Sequence, residues 1–263
     1  MPELPEIEIS RQRLDPKILN RPLHALTVLD ERILREIPAD ELREGLIGAS
    51  FTGIARFGNY LLLEVGGEAA LLLGLSASAS VEQVRPQEEP PKSTRLGLLF
   101  QDGGGLAVVD PQARTWLTLL RDEAEVPDLG TFGPDALNGQ PDPEQWREAL
   151  KSRRAQIKGL LLEPTLIAGL GPLFTDEILF QAGIRPDHRA SDLSDEEADR
   201  LREAVQATLQ KAVQCQANPQ QLPKTYLTRS RDEGREECPK CGGPLEKRQI
   251  QGRASVFCPA CQS

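Results

Sequence analysis

Four of the five cysteines stand in two pairs, Cys238-Pro-Lys-Cys241 and Cys258-Pro-Ala-Cys261, separated by sixteen residues. Zinc takes four soft ligands at the corners of a tetrahedron, and a C-x2-C turn delivers two thiolates from one tight loop. The spacing predicts one structural Zn2+ held by Cys238, Cys241, Cys258 and Cys261. Gly242-Gly243 permits a tight turn after the first pair. Val256-Phe257 leads into the second pair as a short strand, so the expected unit is a β-hairpin zinc finger. Two disulfides or an iron centre are the alternatives. Disulfides need an oxidising compartment. Met1–Ile9, with three glutamates and no basic residue, does not read as an export signal. Cys215 stands alone on an expected helix and reads as a small buried apolar side chain.

The net charge of −9 speaks against a nucleic-acid binder if charge is counted globally. It is unevenly spread. Lys224 to Ser263 holds eight basic residues against five acidic ones, a basic tail on an acidic body. Arg147 to Lys158 is a second basic island, and its Arg153, Arg154 and Lys158 are candidate nucleic-acid contacts; a solvated helix face would look the same. Hydrophobic residues make up 39% and the 22 glycines add to them, a globular composition that excludes disorder. No apolar run approaches the roughly 18 residues of a spanning helix, so no membrane partner is expected and a cytoplasmic location is. His24 and His188 are isolated, and Trp116 and Trp146 read as core residues.

The elements that must carry these residues follow from periodicity. A helix is expected over Pro2 to Leu14, with Pro5 in its first turn and Glu3 and Glu6 at its positive end. Tyr60 to Val65 and Ala69 to Leu75 flank Gly66-Gly67, and Leu96 to Phe100 and Leu106 to Val109 flank Asp102 to Gly105. Both read as hairpins, so residues 1–125 form a β-rich domain whose strands pair most easily as a sandwich. Residues 126–143, rich in Pro and Gly, read as a linker. Residues 144–222 are helical: Pro143 to Lys151 with Asp142 as N-cap, Leu173 to Ala182 ending at Gly183, and a long helix opened by the capping box Ser194 to Glu197 and running to about Gln216. Residues 223–263 contain the finger. The fold class is α+β and multidomain.

Met1-Pro-Glu-Leu-Pro-Glu6 resembles the opening of the formamidopyrimidine-DNA glycosylase and endonuclease VIII family. The likeness continues at Tyr60-Leu-Leu-Leu-Glu64, Leu73-Gly-Leu-Ser76, Asp110-Pro111, Ala168-Gly-Leu-Gly171, Phe180 to Pro186 and Gly252 to Cys258, and so spans essentially the whole chain. It implies an N-terminal catalytic helix on a β-sandwich, a helix-two-turn-helix DNA-binding domain and a C-terminal four-cysteine zinc finger. It also implies a DNA-repair glycosylase with abasic-site lyase activity, a monomer that acts on damaged or abasic DNA in the nucleoid.

The resemblance assigns catalysis to Pro2, Glu3 and Arg253. Removal of Met1 would expose the secondary amine of Pro2. An α-amino group has a pKa near 8, so a usable fraction is unprotonated at neutral pH and can attack C1′ of a damaged nucleotide as a covalent nucleophile. Glu3 would protonate the sugar ring oxygen or a leaving group as general acid. Arg253 matches the finger arginine that contacts phosphates around the flipped nucleotide.

The chain departs from the family at several DNA contacts. Asn59 stands where most members carry a catalytic lysine. Pro172 stands where an asparagine holds a phosphate. Leu75 stands at the position of the methionine that fills the gap left by the extruded nucleotide, as an apolar wedge. Gln112-Ala113-Arg114 replaces the arginine and phenylalanine that probe the opposite strand, with Arg114 as the remaining cation, and the segment before the finger is shorter. The resemblance therefore implies weak DNA binding, steeply lowered by salt, and best activity on abasic or single-stranded sites, where base extrusion costs least. A catalytically degenerate DNA-binding or damage-sensing relative is the alternative, and a protein-binding zinc module the third reading.

Overall fold

The computed structural model describes residues 2–66, 69–76, 78–121, 131–139 and 141–263, without the side chains of residues 15–17. Helix α1 (Leu4–Ile18) runs four residues beyond its expected end. Ile7, Leu14 and Ile18 repeat at helical spacing and all lie in one hydrophobic core, which carries the helix on. Glu3 is its N-cap: the Glu3 amide donates to Glu6 Oε2 at 2.8 Å, one half of a capping box.

The strands form two four-stranded antiparallel sheets. Strand β1 (Leu23–Val28) is followed by helix α2 (Ala39–Leu46), then β2 (Phe51–Phe57), β3 (Tyr60–Val65), β4 (Ala70–Gly74), β5 (Ser80–Val84), β6 (Thr94–Phe100), β7 (Gly105–Val109) and β8 (Trp116–Leu120). One sheet has the order β2-β3-β4-β8 and the other β1-β6-β7-β5. The register sets leucine against leucine, Leu61 opposite Leu73 in the first sheet and Leu98 opposite Leu106 in the second. Both sheets, α1 and α2 send side chains into the same core, including Leu42, Leu46, Leu63, Leu96, Phe100 and Leu117. This is the expected sandwich, and each such leucine contributes about 1.5–3 kcal/mol by leaving water. Trp116 is not part of that core. It is half-buried, packs its ring 5.7 Å from Tyr60 and lies beneath the Arg35 guanidinium at 4.7 Å.

The second half is helical: α3 (Pro143–Lys151), α4 (Ile157–Leu161), α5 (Pro172–Ala182), α6 (Asp195–Gln214) and α7 (Leu227–Asp232), followed by the hairpin β9 (Glu246–Ile250) and β10 (Arg253–Phe257). The local signals act as expected. Asp142 caps α3 by accepting from the amides of Glu144 and Gln145. Ser194 and Glu197 close both halves of the capping box of α6. Gly183 ends α5 with φ of +73°, a left-handed conformation that glycine adopts without steric cost. Trp146 is fully buried and donates from Nε1 to the Ala198 carbonyl at 2.9 Å. Cys215 is half-exposed rather than buried. Helix α6 stops just before it, its apolar face being spent on Leu201, Val205, Leu209 and Ala212, and its Sγ donates to the Gln221 carbonyl.

The chain separates into two compact units. One contains Pro2 and the chain from Ile7 through the sandwich; the other contains Glu3–Glu6 and Thr131–Ser263. The expected linker lies partly outside the described residues. Of its described part, Ala136 and Leu137 are buried in the helical core. Among the described residues no helix is long and apolar enough to cross a membrane.

Candidate active site

Pro2 and Glu3 are chain neighbours at the mouth of α1. The Glu3 side chain is buried, 8% exposed. Its two carboxylate oxygens accept from the amides of Leu173 at 2.8 Å and Phe174 at 2.9 Å. These are the second and third residues of α5, whose own N-cap, Gly171, has no side chain to offer. Glu3 therefore caps α5 from 170 residues away, supplying an anion where unsatisfied amides and the helix dipole favour one. Burial outweighs these two amide bonds, and the charges of Glu6 and Asp176 add to it, so the Glu3 carboxyl is pushed up to about 7. A group at that value is protonated in good part at neutral pH and can give up a proton. Pro172 sits at the first position of α5, where its missing N–H leaves no donor unpaired.

The four cysteine sulfurs lie within 4.8 Å of one another. A Zn–S length of about 2.3 Å sets the edge of a sulfur tetrahedron near 3.8 Å; the Cys238–Cys261 and Cys241–Cys258 sulfurs are 3.8 and 3.6 Å apart. The set fits zinc. Each knuckle is tied into the fold. The Lys240 amide donates to the Cys238 sulfur, and Gly242 makes the turn at φ of +75°. Buried Gln262 accepts from the Cys258 amide at 2.8 Å and donates to the Ile184 carbonyl at 2.8 Å. Phe180 of α5 and Leu227 of α7 pack with Val256 and the cysteines.

The expected DNA contacts fall into two groups. Arg253 is exposed at the first position of β10, directly after Gln251 and Gly252, whose positive φ values make a tight hairpin turn. Arg154 is exposed, and Arg153 is half-exposed, 3.5 Å from Glu163. Arg114 is exposed on a loop that Asp110 organises by accepting from the amides of Gln112, Arg114 and Thr115 and the hydroxyl of Ser78. Burial opposes the Asp110 charge, but these donors outweigh it and hold its carboxyl well below the usual carboxylate range.

Two residues are elsewhere than expected. Lys158 is not part of a surface island: it is fully buried, because Asp176 of α5 takes its Nζ at 2.7 Å and the Ala254 carbonyl takes the same Nζ at 2.7 Å. Leu75 does not project as a wedge. It is 2% exposed and lies in the sandwich core, continuing the buried run of β4. Asn59 occupies the turn between β2 and β3, half-buried, with Oδ1 lacking a hydrogen-bond partner among the described residues. Arg56, three residues before Asn59, points inward. Its side chain is 1% exposed, with Nε on Glu8 at 3.0 Å and Nη1 on the Gly58 carbonyl.

Sequence reasoning missed two carboxylates. Glu177, fully buried, accepts from the amides of Leu227 and Thr228 and so caps α7 as Glu3 caps α5. Asp176 accepts from Lys158, from Arg231 Nη1 at 3.1 Å and from the Val256 amide at 3.1 Å. Two adjacent acidic residues inside an otherwise apolar helix were the signal that could have found them.

Three family models match the chain. The formamidopyrimidine-DNA glycosylase N-terminal domain matches residues 1–117, its H2TH domain residues 132–223, and the zinc finger found in FPG and IleRS residues 235–263. Formamidopyrimidine-DNA glycosylase of Halorhodospira halophila is 31% identical over 272 residues, with both chains covered completely. That of Thermus thermophilus is 34% identical over 277 residues, covering all of this chain and 98% of the relative. Among solved structures, the Lactococcus lactis Fpg in complex with abasic-site DNA superimposes with a TM-score of 0.87 at 27% identity, both chains covered in full. MutM in complex with carbocyclic 8-oxo-G DNA does so with a TM-score of 0.87 at 28% identity, again over both full chains.

Proposed function

Because the chain belongs to the formamidopyrimidine-DNA glycosylase family, we propose that it excises damaged bases from DNA and cleaves the strand at the resulting abasic site through a Schiff base on Pro2. With Met1 removed, the unprotonated Pro2 nitrogen attacks C1′. The C1′–base bond breaks, and the base leaves with the proton that the Pro2 nitrogen gives up. The sugar ring opens to an iminium between Pro2 and C1′, its ring oxygen protonated by Glu3. The iminium acidifies C2′; loss of that proton expels the 3′ phosphate, and water then releases Pro2. The observation that carries this reading is the Glu3 carboxyl, next in sequence to Pro2, buried and raised to about 7 while pinned on the amides of α5. The zinc finger presents Arg253 to phosphate, and Arg114, Arg153 and Arg154 add backbone contacts. The substrate is damaged or abasic DNA, as in the complexes formed by the similar structures.

Asn59 and Pro172 favour a second reading, a DNA-binding relative without catalysis, since neither supplies the cation or the phosphate donor of most members. Borohydride trapping on an abasic-site oligonucleotide at low salt separates the two, with intact mass confirming that Met1 is gone. The expected result is a covalent adduct that Pro2→Gly abolishes and Glu3→Gln reduces. Absence of an adduct with the Met-trimmed protein overturns the lyase reading and leaves DNA binding alone.

A further inference from the structure

The finger strand that begins with Arg253 is gripped from below. Lys158 Nζ donates to the Ala254 carbonyl, and Asp176 accepts from the Val256 amide. The two side chains bond to each other at 2.7 Å, and both are almost fully buried. Arg231 of α7 reaches the second Asp176 oxygen, so one carboxylate joins α4, α5, α7 and β10. The hairpin tip is held as well: the Gln251 side chain lies directly on Gly159 of α4, in the space a Cβ there would fill. Arg253 lies between these two attachments with its own side chain exposed.

We propose that Asp176 is a positioning residue, which with Lys158 clamps β10 to α4 and α5 and thereby fixes the direction in which Arg253 meets a DNA phosphate. A buried ion pair is poorly suited to add net stability, because desolvation offsets its attraction. A pair that spends two of its bonds on the backbone of a neighbouring strand instead sets that strand's register and angle. A guanidinium makes paired bonds to phosphate only in a narrow range of orientations, so a loosened strand would weaken the contact without removing the residue.

The inference rests on the reading of Arg253 as a phosphate donor, and the experiment separates the two. Asp176→Asn keeps the shape, but its single remaining oxygen can accept from Lys158 or from the Val256 amide and not from both; Lys158→Met keeps the length and loses both bonds. Amide exchange on the DNA-free protein, with zinc content measured, reads the clamp whatever the protein acts on. Both variants should keep one zinc per chain and exchange faster over residues 249–256. On abasic-site DNA, Asp176→Asn should raise KM by about tenfold, the scale of coupling within one bonded network, with kcat changed far less. In an Arg253→Ala background it should add nothing. Unchanged exchange overturns the clamp. Loss of zinc from both variants overturns it too, since Asp176 would then be needed to build the finger rather than to aim it. Faster exchange with additive effects of Asp176→Asn and Arg253→Ala overturns the positioning role. If Arg253→Ala has no effect while wild-type protein still forms the Pro2 adduct, the aim at phosphate is overturned and the lyase reading is untouched.

Discussion

Glu3 occupies the space that a side chain at Gly171 would need. A Cβ built on Gly171 would fall inside the Glu3 carboxyl group. The same carboxyl makes the two amide bonds at the start of α5, so the absence of a side chain at Gly171 is what lets an acid from the other end of the chain reach that helix.

Gly171→Ala should therefore push Glu3 off the helix. The expected cost is about 1–3 kcal/mol of stability, typical of overpacking a tight site, together with a loss of adduct formation like that of Glu3→Gln. Urea unfolding and borohydride trapping check both. A variant of wild-type stability that traps normally would show that the contact does not matter.

The pH dependence has a definite sign. Folded Glu3 titrates at about 7 against an ordinary 4.5, mainly because burial penalises its charge. The folded state then binds more protons than the unfolded chain between those values. Its contribution to stability is full below about 4.5 and is lost as pH rises toward 7, by up to about 3 kcal/mol. Wild type should lose stability relative to Glu3→Gln across that window in urea unfolding. Its trapping rate should also fall above pH 7, a limb that Glu3→Gln lacks.

Removing zinc should free the finger. Binding free energies of structural zinc sites are of order 10 kcal/mol, and here Cys238, Cys258 and Val256 pack with Phe180 of α5 and Leu227 of α7. Chelation, or Cys258→Ser, should speed amide exchange over residues 246–257 and abolish adduct formation. Undiminished trapping by the zinc-free protein would contradict this.

Asn59→Lys restores a cation in the turn between β2 and β3. One added phosphate contact should raise affinity for abasic-site DNA and steepen the slope of log K against log salt by about 0.9. Fluorescence anisotropy from 50 to 200 mM salt reads the change. An unaltered slope would mean that residue 59 does not meet the backbone.

Asp110→Ala strips four donors of their acceptor. The expected loss is about 1–3 kcal/mol at neutral pH. Because the Asp110 carboxyl is held low, the difference from wild type should shrink as pH falls below 4. Thermal unfolding of the two proteins across that range is the check.

Local devices were legible in the sequence and long-range ones were not. Asp142, Ser194 and Gly183 act on amides or carbonyls within four residues, so their types and positions foretell α3, α6 and the end of α5. The cysteine spacing likewise names its own partners. Glu3 and Glu177 do the same capping chemistry, but their amides lie 170 and 50 residues away, and nothing in the local pattern points there. Lys158 reads as surface charge until Asp176 is placed beside it. Leu75 reads as a wedge by position, yet it continues a strand of leucines that the two sheets bury.

The two tryptophans fall one to each unit, Trp116 in the sandwich and Trp146 in the helical part. Trp146 is sealed in an apolar core, whereas Trp116 is half-open beneath a guanidinium. Their emission should therefore differ in colour, blue for the first and red for the second. With Trp116→Phe in hand, intrinsic fluorescence alone would time the melting of the helical unit, with no label added to the chain.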